Sequence, residues 1–168
     1  MSASAPPFDP AAILHELEDS RVWFVLVGGL ARVLHGSDEV TTGLDLTPNA
    51  RPENLERLAG ALVRLDALPR NGSRIEKAAA APDEHPVVAL DSPHGEIKVV
   101  VQPAGTRGYD DLRFKARWLH LGDGLRPHVA GPGDLVRMME ALGRPEQVRS
   151  LEVMRRVVEL DRGRGLER

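Results

Sequence analysis

The feature that most constrains this chain is the run Val22-Trp23-Phe24-Val25-Leu26-Val27, which stops abruptly at Gly28-Gly29. A continuous apolar stretch rich in β-branched and aromatic residues has no polar side, so it predicts a strand buried on both faces in the interior of a sheet. Glycine tolerates positive φ and close backbone approach, and the pair at 28–29 therefore predicts a sharp turn directly after the strand.

What surrounds this strand must cover it. Asp9-Pro10 is a helix start, with a capping carboxylate followed by a residue pre-set for the first turn, and Ile13, Leu14 and Leu17 form the apolar stripe of a helix running to about Ser20. After the glycines, Leu30 to Leu34 reads as a short helix stopped by His35-Gly36, and Leu44 to Leu46 as a short strand closed by Pro48. Pro52 opens a helix with Leu55, Leu58, Leu62 and Leu65 at helical spacing. Pro69 to Pro86 is the least ordered stretch by composition. Val87 to Leu90 and Ile97 to Val101 predict a hairpin across Ser92-Pro93-His94-Gly95, and two more short strands flank Asp123-Gly124. Asp134 to Leu142 and Pro145 to Leu160 carry helical periodicity, divided by Gly143. The expected architecture is α/β or α+β, a mixed sheet flanked by helices with a C-terminal helical segment.

At 168 residues the chain is expected to form one domain, with residues 1–8 flexible and 162–168 frayed. With 42% hydrophobic but only 4% aromatic residues, the core must be built mainly from Leu, Val and Ala. A formal charge of -3 gives no clear nucleic-acid-binding patch, although a local basic one is compatible with it. The chain has no cysteine, which excludes a disulfide framework and thiolate chemistry. With neither signal-peptide character nor a membrane-length apolar run, the expected location is the cytoplasm.

Periodicity names no fold, but motifs do. VLVGGLARVLHG from Val25, followed by TTGLDLTP from Thr41, resembles the strand, glycine turn, helix and acidic strand of the nucleotidyltransferase superfamily. It is similar in particular to the compact, AbiEii-like nucleotidyltransferases of bacterial toxin-antitoxin and abortive-infection systems. The resemblance continues in order through GEIKVVV from Gly95, GTRGYDDL from Gly105 and DLVRMMEALGRPEQ from Asp134. It implies transfer of a nucleotidyl group from a nucleoside triphosphate, commonly with two divalent ions about 3.5–4 Å apart and three carboxylates to hold them.

This chain departs from that pattern. The acidic-apolar-acidic triplet, whose first and third side chains share one face of a strand, reads Gly43-Leu44-Asp45, so Asp45 alone is kept. The third carboxylate aligns with Lys98 in Ile97-Lys98-Val99. An ammonium about 4 Å from a divalent ion would be repelled by roughly 8 kcal/mol at an effective dielectric of about 20. Glu39 and Glu140 stand where the family often has basic residues, and its GRPKD-like turn reads Gly143-Arg144-Pro145-Glu146-Gln147. No metal is therefore expected, and Asp45 is the ligand if one binds. Asp38, Glu39, Asp110 and Asp111 are the replacement candidates, against the commoner solvated or capping role of such pairs.

Among other polar groups, His35 is expected to be structural. His85 and His94 flank the hairpin without zinc spacing, and His120 and His128 are unpaired. Ser37, Thr41 and Thr42 could meet phosphate oxygens or serve turns and caps.

The leading expectation is a member with lost or impaired catalysis that binds a nucleotide, another phosphorylated ligand or a protein partner. Gly28, Gly29 and Lys98 would then be the phosphate-binding positions, with lysine in place of part of the metal's charge, against the plainer alternative of a Lys98 solvated at the cleft edge. The alternatives are an active Mg2+-dependent enzyme modifying protein or RNA through Asp45, and a structural subunit with a vestigial cleft.

Overall fold

The computed structural model describes residues 4, 6–72, 74–84 and 86–166. Asp9 accepts the Ala12 amide at 3.1 Å and caps α1 (Pro10–Asp19), which buries Ile13, Leu14 and Leu17. The apolar run becomes β1 (Phe24–Val27), buried at every position. The chain passes from it without a loop into α2 (Gly28–Leu34). Next come β2 (Gly43–Pro48) and α3 (Pro52–Arg64).

β3 (Leu68–Pro69) opens onto the stretch read as least ordered, which contains the short α4 (Ile75–Ala80), burying Ile75 and Ala78. The hairpin strands are β4 (Val88–Ser92) and β5 (Gly95–Val99). They reach further toward the turn than expected because Ser92 Oγ accepts the His94 amide and donates to the Gly95 carbonyl. A single turn, α5 (Tyr109–Leu112), precedes β6 (Arg117–Trp118) and β7 (His128–Val129). The strands expected beside Asp123-Gly124 thus pair further out, leaving only an isolated bridge from Gly122 to Leu125 there. α6 (Pro132–Leu142) ends at Gly143 in the left-handed conformation, and a 3-10 turn at Pro145–Gln147 leads into α7 (Val148–Leu166).

The strands form one mixed sheet in the order β3-β4-β5-β2-β1-β7-β6. β2 lies at its centre, antiparallel to β1 and parallel to β5. Burial alternates strictly along β4 and β5. Leu44, Leu46, Ile97 and Val99 are fully buried on the core side, while Asp45, Glu96 and Lys98 alternate to the other. Asn54, itself buried, ties the sheet's far end together by accepting the Trp23 amide at 2.8 Å and donating to the carbonyls of Trp23 and Asn49. No described helix is long and apolar enough to cross a membrane.

Candidate functional site

The site begins where β1 runs out. Val27 is the register partner of Asp45, and the chain turns at Gly28 with φ 72°. A Cβ on Gly28 would stand 2.4 Å from Asp45 Oδ2. Any other residue would meet both the left-handed backbone penalty and that carboxylate, so glycine is what lets Asp45 lie against the turn. Gly29 faces elsewhere: its Cβ would approach Thr41 Oγ1 at 3.2 Å and Glu39 at 3.4 Å, so it packs on the loop before β2.

Across the β2–β5 ladder, Asp45 stands opposite Lys98 and Gly43 opposite Glu96. Ladder partners share a face, so Asp45, Glu96 and Lys98 project to the same side. Lys98 Nζ lies 3.3 Å from Glu96 Oε1. Glu96 also pairs with Arg70, which makes a bidentate pair with Asp91 on β4. A Cβ at Gly43 would stand 2.8 Å from the Glu96 carbonyl oxygen and 3.0 Å from its Cβ. The position that lacks a carboxylate is therefore one whose space the neighbouring strand already fills.

Gly28, Asp45 and Lys98 line a cleft of about 230 Å³ together with Arg32, Arg144 and Gln147. The opposite wall is apolar, made largely by Leu135, Met138, Met139 and Leu142 of α6. Arg32 is held by a bidentate pair with Glu39, at 2.9 Å and 2.7 Å, and Ser37 donates to the same carboxylate at 2.7 Å. Burial alone would raise the Glu39 pKa, but the bonds from Arg32 and Ser37 outweigh it and hold the carboxyl below its ordinary value. Asp45 goes the other way. Burial pushes its pKa up, the fields of Lys98, Arg32 and Arg144 oppose the rise, and Glu96 adds to it.

The expected replacement ligands do not assemble. Asp38 pairs with Arg149 at 2.7 Å, Asp111 accepts from Arg137 and the Arg107 amide, and Asp110 lies 3.7 Å from Arg113. None of these, nor Glu39, lines the Asp45 cleft. Among the described residues no three His, Cys, Asp or Glu side chains group as a metal site. Mg2+ prefers near-octahedral oxygen ligation. Here one carboxylate faces a lysine and its neighbour is engaged by two cations, so the donor set does not fit a two-metal centre.

His35 ties α2 to the strand beyond it through Nε2 and the Ala130 carbonyl, 2.8 Å apart, and His94 sits in the hairpin turn. His85 lies outside the described residues. Thr41 donates to the Gly43 carbonyl. Arg32, Glu96, Arg144 and Gln147 are site residues that the sequence reading passed over. Their signals were present in the helix after the glycines, in GEIKVVV two residues before Lys98, and in the GRPEQ turn.

No protein-family profile matches the chain, and no curated protein does. Solved structures do. The crystal structure of a Thermotoga maritima protein named as a nucleotidyltransferase is similar with a TM-score of 0.56 at 16% identity, over 88% of this chain and 94% of that one. The solution structure of the antibiotic-resistance factor ANT(2'')-Ia is similar with a TM-score of 0.53 at 12% identity, over 94% and 92%. At these identities the likeness is one of fold.

Proposed function

We propose, taking as premise that the chain has the nucleotidyltransferase fold, that it has lost metal-dependent transfer and uses the Asp45–Lys98 cleft to bind a phosphorylated ligand, a nucleotide first among them. The carrying observation is the register of β5 on β2, with Lys98 opposite Asp45 and Glu96 opposite Gly43. Transfer to an acceptor oxygen needs concentrated positive charge on the phosphates. In this reading Lys98 and Arg144 supply enough of it to bind phosphate without supporting transfer, Arg32 being largely neutralised by Glu39, and the α6 wall receives the apolar part of the ligand. A cleft of about 230 Å³ lies just below the roughly 300–1,000 Å³ usual for such sites, which favours a mononucleotide or a partly enclosed triphosphate. A place in a toxin-antitoxin or defence system belongs to the same proposal and rests on the sequence resemblance.

A second reading, an active Mg2+-dependent enzyme, draws on one feature: Glu96 puts a second carboxylate on the face of Asp45. It requires Arg70 and Lys98 to release that carboxylate. Calorimetry against nucleoside triphosphates, with and without magnesium, separates the two. The proposal expects binding that magnesium does not strengthen and that salt weakens. Lys98→Ala should lose about 10-fold or more, the value of a charge-assisted hydrogen bond. Asp45→Asn should tighten binding by removing a negative charge. Labelled-nucleotide transfer that requires magnesium and is abolished in Asp45→Asn would establish the enzyme instead, and absence of any binding would leave a vestigial cleft.

A further inference from the structure

The chain has two Trp, one Tyr and three Phe, and all of them except Phe8 line a second groove. It holds about 740 Å³ and lies at the opposite end of β1 from the Asp45 cleft. Phe24 is buried beneath it, yet Trp23, Phe114 and Trp118 are 55%, 79% and 61% exposed. An aromatic-poor chain that gathers its aromatic side chains at one place and leaves three in water has an apolar patch of the kind that marks an interaction site.

The groove is also held rigid. Asn54 bonds both the amide and the carbonyl of Trp23. The Trp118 ring is stacked on His128, with centroids 4.2 Å apart, and the Arg113 guanidinium lies over Phe114. Aromatic rings flanked by arginine are the composition of protein-binding hot spots.

Charge selects the partner. Among the charged residues that line the groove, Arg113 and Arg126 outnumber Glu18, in a chain whose formal charge is -3. A nucleic acid would need an unpaired phosphate track, but Arg117 is paired with Asp161, Arg113 lies near Asp110, and Glu18 lines the groove. We infer that this groove docks an acidic segment of another protein bearing aromatic or proline anchors, the anchors seated between Trp23, Phe114 and Trp118 and the acids facing Arg126.

The probe is a display library of random 12-residue peptides, selected on the full chain and resynthesised with a fluorescent label for titration by anisotropy. The expected result is a consensus of acids around aromatic or proline residues. Its affinity should fall at least 10-fold in Phe114→Ala and in Trp118→Ala, fall with salt and in Arg126→Glu, and stay unchanged in Phe8→Ala. Both aromatic side chains are largely exposed, so the two variants are expected to fold. Lack of a consensus, a consensus without acids, or binding indifferent to both aromatic substitutions overturns the inference. So does sedimentation showing a dimer of this chain that Phe114→Ala dissolves, or a 12-nucleotide single strand that outcompetes the peptide.

Discussion

Replacing Gly43 tests whether the missing carboxylate is a gap or a built feature of the sheet. A Cβ there would stand 2.8 Å from the Glu96 carbonyl oxygen, where even a close C–H···O approach is about 3.3 Å. The β2–β5 pairing would have to open by about half an ångström at the sheet's centre. Leu44, Leu46, Ile97 and Val99 are fully buried there and leave little room to yield. Overpacking of this sort costs about 1–3 kcal/mol, while replacing glycine by alanine returns about 0.4–1 kcal/mol through the unfolded chain. Gly43→Ala should therefore destabilise by about 1–2 kcal/mol. At about 2–4 °C per kcal/mol for a chain of this size, the Tm should drop by about 2–8 °C.

Gly43→Asp should cost more, because it adds a carboxylate directly opposite Glu96. Gly133→Ala is the control, since no atom lies within 4 Å of its Cβ and its helical site should gain stability. Circular-dichroism melts of the three variants decide the matter. A Gly43→Ala protein melting at or above wild type would refute the steric argument. A Gly43→Asp, Lys98→Asp double variant with wild-type Tm and tight Mn2+ binding would refute the conclusion drawn from it.

Two further outcomes concern single carboxyls. Burial raises the Asp45 pKa, so its contribution to stability is complete below about pH 4 and is lost as the pH rises through its folded value. Asp45→Asn should melt higher than wild type at pH 7 and lose that advantage near pH 3.5, and a lower melting temperature at pH 7 would contradict this. Glu39 has the opposite sign, lowered by Arg32 and Ser37 against its burial, so its contribution is present above about pH 4 and is lost as the pH falls through its folded value. Glu39→Gln should cost about 2 kcal/mol in urea denaturation at pH 7 and less in acid, by leaving the Arg32 guanidinium half-satisfied.

The elements legible in the sequence are those whose signal is local. The run ending at Val27 has no polar face to offer solvent, Asp9-Pro10 starts a helix by capping chemistry, and Gly143 stops one by accepting positive φ. What escaped depends on partners distant in sequence. β3 is two residues long, ends in proline and exists because β4 offers Asp91 and Leu90 as register partners. α4 has a single turn's worth of apolar residues, and its helical state rests on burying Ile75 and Ala78. β6 and β7 were expected beside Asp123-Gly124, but two residues each are too short for the sequence to fix where they pair.

The site divides along the same line. A period of two, a local pattern, placed Gly43 and Asp45 on one face, while the family resemblance alone placed Lys98 of GEIKVVV on the neighbouring strand. The coupling between the strands could not be read that way, because register is set by pairing between Asp45 and Lys98, residues far apart in the chain. That register makes positions 43, 96 and 98 interdependent. Gly43 gives Glu96 its space, Glu96 is held by Arg70 and Lys98, and Lys98 faces Asp45. Restoring acid at position 98 alone would remove one of Glu96's cations and put a third carboxylate beside Asp45, whose ionised form burial already disfavours. Restoring acid at position 43 alone would force the ladder apart. An acidic cluster here would therefore need positions 43 and 98 to change together, and even then the carbonyl that crowds Gly43 is backbone that no substitution at position 96 removes.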